Sequence, residues 1–366
     1  MYSPPTLLFI VLCASGVTAW GADPSAPAAV AGQAEGLAVR VIPLDVKPHQ
    51  GVLGMASDKV TDGSDFLRLK LLVVSPQSFG DVSLTVSDSY GKTVDTMSLK
   101  GSTGVTEYWT KIIPGNAYSL SVTGPSQAPG SSVTVWRVLR SIEPPTALSI
   151  VNGFDDRKPI TQVADPLVKA AARAVVKLFI QEGDLTESCT GFLIGPQIVM
   201  TNRHCLATAA DCANTVALFD YDTSTMVPAS QQRRCRQVEH SSQTYDYTTF
   251  DLDSPPDPTI NALSFGTQSA VDGQALTVIE HPGGEPKQVT YTHCTASHDP
   301  VNGYGANSDF THTCATLTGA SGSPMLDASM KVVGLHHLGQ TDDERIYNRA
   351  VRIEPIIADL KTSVTQ

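Results

Sequence analysis

Ser321 stands in Gly319-Ala320-Ser321-Gly322-Ser323-Pro324, a glycine-punctuated turn with little side chain to hide its hydroxyl. A serine is a poor nucleophile until a base takes its proton, and the oxyanion it creates needs donors close by. Small neighbours let the amides of Gly319 and Ser321 point at one place, as an oxyanion hole requires. The chemistry is then acyl transfer, and the rest of the chain must supply a histidine and a carboxylate to orient it.

His204 is the candidate base. It closes the stretch Cys189-Thr190-Gly191-Phe192-Leu193-Ile194-Gly195-Pro196-Gln197-Ile198-Val199-Met200-Thr201-Asn202-Arg203-His204-Cys205, which reads as a hairpin with a cysteine at each end. A disulfide there would fix the histidine backbone beside the sheet, and a general base must be held closely. Of nine histidines in the chain, this one has flanking cysteines and a glycine hairpin to single it out. For the carboxylate, Tyr245-Asp246-Tyr247-Thr248-Thr249-Phe250 places Asp246 at the start of a short strand among aromatics, with Asp251 and Asp253 as competitors. The chain order His, Asp, Ser differs from the Ser, Asp, His order of an α/β-hydrolase, and Gly-x-Ser-x-Gly is broken by Ser323. A two-barrel serine protease arrangement fits that order. No metal and no organic cofactor is needed for such chemistry.

These three groups lie far apart in sequence, so packed strands must bring them together. The chain has 366 residues, 41% hydrophobic and 17% charged, enough for two globular domains. A formal charge of −11 argues against nucleic acid as a partner. Residues 1–19 read as a signal peptide: a short apolar run from Leu7 to Leu12, then Val17-Thr18-Ala19. That leader implies secretion into an extracellular or periplasmic space, and no later stretch is apolar enough for a membrane span. Residues 20–36 form an Ala/Pro/Gly-rich lead-in. Over 37–140, period-two runs such as 66–71, 82–87, 118–122 and 133–138 predict a small β-sandwich, an accessory domain or pro-region with no chemistry of its own. It is also a candidate module for a surface or carbohydrate ligand. Residues 141–149, with Glu143-Pro144-Pro145, read as a linker.

From 150 to 366 the pattern is strand-rich, with runs at 175–180, 191–195, 198–201, 216–219, 275–279 and 332–335 and a terminal helix near 356–362. Many strands without βαβ alternation mean barrels, so the fold class is all-β. Apart from Cys13 in the leader, the six cysteines fall between Cys189 and Cys314, as a disulfide framework would have them. Cys189–Cys205 closes the histidine hairpin, and short-range pairing of the remainder gives Cys212–Cys235 and Cys294–Cys314. Arg233-Arg234-Cys235-Arg236 reads as a solvated strand edge, and His281-Pro282-Gly283-Gly284 as a turn near the substrate cleft.

Residues from about 150 to 362 resemble chymotrypsin-fold serine endopeptidases, the secreted bacterial glutamyl endopeptidase type above all. The resemblance rests on Asp155-Asp156-Arg157, Cys-Thr-Gly-Phe-Leu-Ile-Gly-Pro at 189–196, Thr-Asn-Arg-His-Cys at 201–205, the Ser321 turn and Val333-Gly334-Leu335-His336. It implies two barrels, a His204–Asp246–Ser321 triad and cleavage of proteins or peptides. It also implies that Thr316 and His336 line the pocket for the residue before the cut, where a protonated His336 would hold a Glu or Asp side chain. Ala315 stands where a trypsin would place an aspartate, which argues against Lys/Arg preference. The family usually has Asn where this chain has Ala320. Ile150-Val151-Asn152-Gly153 resembles an activated trypsin's new N-terminus, but Ala320 replaces the aspartate that would receive it. The alternative is a catalytically silent binding or adhesion protein on the same scaffold.

Overall fold

The computed structural model describes residues 40–44, 51–59, 66–124, 130–140, 148–149, 155–182, 185–341 and 346–363. The leader, the lead-in, Glu143–Thr146 and Ile150–Gly153 lie outside them. The chain is mostly antiparallel strand. In the first part, Arg40–Pro43, Ser132–Arg140, Phe66–Ser75 and Gly104–Trp109 pair in that order, with Ile113–Pro114 added beside Phe66–Ser75. A second sheet orders Val52–Lys59, Ala117–Thr123, Ser83–Asp88 and Thr93–Ser98. Alternation of small polar and aliphatic residues turns Leu84, Val86, Leu120 and Val122 inward, where they meet Leu67, Leu69, Leu71, Val133 and Val135 in one core. This is the expected sandwich.

The second part opens with the helix Pro166–Arg173, whose N-terminus is capped by Asp165 accepting from the Leu167 amide. Six strands then close a barrel in the order Val175–Glu182, Leu185–Leu193, Ile198–Thr201, Tyr247–Leu252, Gln232–Ser242 and Thr215–Leu218. An eight-stranded antiparallel sheet follows; its centre is Thr277–Glu280, Pro324–Leu326, Val332–Thr341 and Ile346–Arg352, and its far edge Asp309–His312 and Ala296–Val301. The helix Ile353–Ser363 ends the described chain. One apolar cluster runs through both sheets, from Val176, Phe192 and Phe250 to Ile279, Leu335 and Ile356, so the cleft between them rests on a shared core. Three disulfides join Cys189 to Cys205, Cys212 to Cys235 and Cys294 to Cys314. Leu148–Ser149, the last residues of the expected linker, pair as a short strand with Thr316–Leu317.

The sandwich is docked firmly onto the six-stranded barrel. Arg68 is fully buried between the rings of Trp109 and Phe179, 5.6 and 5.4 Å from their centroids. It donates to Thr110 O at 2.8 Å and across the joint to Asn214 O at 3.0 Å. The Gln232 amide bonds both backbone groups of Ile112, at 2.9 and 2.8 Å. Arg234, expected on a solvated edge, instead pairs with Asp95 and donates to Trp109 O at 2.7 Å. A strand edge looks solvated in sequence whenever its cover comes from a distant part of the chain. Around these bonds Ile112 packs against Phe179, Val216, Leu218 and Met226. Removing Arg68 would orphan two carbonyls, each worth about 1–3 kcal/mol, and open a cavity. Arg68→Ala is therefore expected to split one cooperative calorimetric transition into two, with the sandwich melting first.

Candidate active site

The candidate base is held by backbone before it is held by its ring. Asp246 has a φ of +42°, a left-handed conformation that aspartate tolerates better than most residues. It turns the residue so that carbonyl and carboxylate both face the 202–204 turn. Its carbonyl accepts from Arg203 N at 3.1 Å and from Asn202 Nδ2 at 2.9 Å. Its Oδ1 accepts from His204 N at 3.0 Å, and Oδ2 lies 2.7 Å from His204 Nδ1. That ring contact leaves Nε2 facing away from the carboxylate, as a proton shuttle needs. Burial alone would raise the Asp246 carboxyl, but hydrogen bonds from His204 and His337 outweigh it and hold the group well below the usual carboxylate range. It is ionised at any working pH.

The serine arrives from the other sheet and is tied across the interface by Thr190, the residue next to the Cys189–Cys205 bridge. Thr190 N donates to Ser321 O at 2.8 Å, and Thr190 Oγ1 donates to Gly319 O at 2.9 Å. His281 N donates back to Thr190 Oγ1 at 3.0 Å. The Ala320 amide is spent on Leu317 O at 2.9 Å and that of Gly322 on His336 O at 2.9 Å. His204 Nε2 is buried and makes no hydrogen bond, so the contact to Ser321 Oγ is open in this structure. Such contacts commonly tighten only with substrate in place.

Gly319 has a φ of +94°, and a Cβ there would lie 2.8 Å from His281 O and 3.0 Å from Gly284 N. The 281–284 turn is thus the floor of the Ser321 loop. Gly283 N bonds Thr318 O, and Lys177 Nζ holds Gly284 O from the first barrel. Burial draws the Lys177 ammonium down to about 8.

Thr316 is buried on the strand Thr316–Leu317, and His336 is 3% exposed. His336 Nδ1 lies 3.0 Å from His312 Nε2. Burial first, then the charges of His312, His337 and His204, push the His336 imidazole well below its ordinary value. The ring is neutral here, against the expectation of a protonated histidine; it has an N–H to offer but no charge. Asn202, Thr190, His337 and Asp309 were not singled out as site residues from sequence. Asn202 alone had a local signal, two residues before the base.

Residues 189–335 match the family described as the trypsin-like peptidase domain. Over this part the chain is similar to trypsin-like peptidases. An uncharacterized protein, y4fB, of Sinorhizobium fredii is 26% identical over 198 residues, 48% of this chain and 29% of its own. A glutamyl endopeptidase of Bacillus licheniformis is 25% identical over 235 residues, 60% of this chain and 70% of the relative. A solved Glu endopeptidase in complex with MPD covers 59% of this chain and 100% of its own at 21% identity, with a TM-score of 0.46. The chain spans under a third of the length of the first of these relatives.

Because the Ser321 loop rests directly on the 281–284 turn, Gly319→Ala would force either the loop or the turn aside. Loss of one oxyanion donor costs about 10²–10³ in kcat. Gly319→Ala is expected to lose at least that much of any acyl-transfer rate while KM changes little; steady-state kinetics on a chromogenic peptide ester would check it.

Proposed function

We propose that the protein is a secreted serine endopeptidase acting through an acyl-enzyme. Ser321 Oγ attacks the scissile carbonyl, and His204 takes its proton at Nε2 and returns it to the leaving amine. Asp246 fixes the ring and stabilises the imidazolium. The Gly319 and Ser321 amides receive the oxyanion, and water then releases the acyl group by the same path. The observation that carries this reading is the double hold of Asp246 on His204, at backbone and ring, beside a serine loop clamped to the same hairpin by Thr190. A buried aspartate held in a left-handed conformation is the kind of strained residue that clusters at functional sites.

The preference follows from the walls of the site. Thr316 Oγ1 and the His336 ring offer hydroxyl and imidazole donors, which suits a Glu or Asp side chain before the cut. If His312 donates to His336 Nδ1, the His336 proton resides on Nε2, available to a substrate carboxylate. Three disulfides suit the oxidising space outside the cytosol, and no described helix is long and apolar enough to cross a membrane. The sandwich would hold the enzyme to a surface or carbohydrate while the second part cuts.

Ser321→Ala is expected to lower casein hydrolysis by roughly 10⁴-fold or more with an unchanged circular dichroism spectrum. Unchanged turnover would overturn the assignment, and lack of fluorophosphonate labelling of the parent protein would favour the silent scaffold. Profiling on a peptide library should show cuts after Glu and Asp; cuts spread evenly over residue types would remove the preference but leave the mechanism.

A further inference from the structure

Beneath the candidate triad lies a second pair of groups that the mechanism above does not use. Strand alternation would turn only one of the neighbours His336 and His337 inward, yet both are buried, at 3% and 2% exposure. A bulge makes this possible: His336 pairs with Ala350 and Leu338 with Arg349, so His337 is the extra residue of its strand. Its ring is thereby inserted between two carboxylates. His337 Nδ1 lies 3.2 Å from Asp246 Oδ2, and His337 Nε2 lies 2.8 Å from Asp309 Oδ2. Ser308 Oγ donates to the other Asp309 oxygen at 2.7 Å, and Gly303 leaves the room that the Asp309 carboxylate fills.

An ionised carboxylate only accepts, so a ring facing one on each side must donate from both nitrogens and carries two protons. We propose that His337, held cationic by Asp309, is a positioning residue for the acyl-transfer reaction: it fixes the Asp246 carboxylate from the side opposite His204 and sets the field in which His204 works. The inference rests on the reading of His204, Asp246 and Ser321 as a triad. Burial works against the His337 cation, but the bonds to Asp246 and Asp309 outweigh it and push the imidazole up to about 9. The other titratable groups around it are His204 beyond Asp246, His312 and His336 on the same sheet, and Tyr304, whose ring lies edge-on at 5.9 Å. The neutral His312 and His336 leave Asp246 and Asp309 as the charges that decide its state.

The sign of the effect can be stated. Asp309→Asn takes away a carboxylate that holds His337 cationic, so burial returns the His337 ring toward its neutral form and protonated His204 loses a repelling cation on the far side of Asp246. The acid limb of kcat/KM is expected to move to higher pH by roughly half a unit, the size of a unit charge acting across several ångströms of mixed medium. His337→Gln is expected to lower kcat by about 10- to 100-fold with KM little changed, the usual cost of losing a group that orients a functional ligand. A merely structural role would lower stability and leave the limb in place. Histidine-labelled full-length protein gives a readout independent of activity: nitrogen NMR should find both His337 ring nitrogens protonated at pH 7, with one proton lost near pH 9. A singly protonated His337 at pH 7 in the parent protein, or an Asp309→Asn limb that stays or moves downward, overturns the proposal. Hydrolysis that survives Ser321→Ala would sink the triad instead, and the NMR signature of His337 would still stand or fall by itself.

Discussion

An ionised carboxylate almost wholly removed from water is the constraint around which the domain is built. Desolvating such a group costs several kcal/mol unless donors surround it. Asp246 meets that condition with the His204 amide and ring on one side and the His337 ring on the other, while its carbonyl holds Asn202 and Arg203. Loss of any one donor therefore has two consequences: a buried charge loses a partner, and the imidazole loses an anchor. The left-handed backbone at Asp246 is the local cost of aiming carbonyl and carboxylate at the same turn.

Two sheets meet at this carboxylate, over the apolar core they share. Thr190 binds the Ser321 loop twice and receives the 281–284 turn, so one side chain and one amide fix three segments. The neighbouring disulfide holds that residue and the histidine turn in one rigid unit. Gly319 fits the space this leaves, which explains glycine there better than freedom of the loop does. Rigid support from strands, with the reacting groups on short turns, is how a sheet protein holds atoms closely enough for proton transfer.

Much of this could be read from residue order. The two cysteines around the glycine hairpin pointed to His204, and the six-stranded barrel contains the runs marked at 175–180, 191–195, 198–201 and 216–219. What stayed hidden has physical causes. His337 was not singled out, because alternation buries one face of a strand and here a bulge turns both His336 and His337 inward. Arg234 looked solvated because Asp95, its partner, lies far away on the sandwich. Asp309 carries no local signal at all, since its role depends on a ring nearly thirty residues away. The helix Pro166–Arg173 did carry one, in Asp165-Pro166, but its short apolar face is weak beside the strands around it.

The joint between sandwich and barrel also bears on what a cut in the intervening segment would produce. Arg68, Gln232 and Arg234 cross it, and Ile112 is sunk among barrel aliphatics. Severing one peptide bond would leave all of those contacts intact. The product would be a nicked particle of two interlocked polypeptides, travelling together until something unfolded one of them.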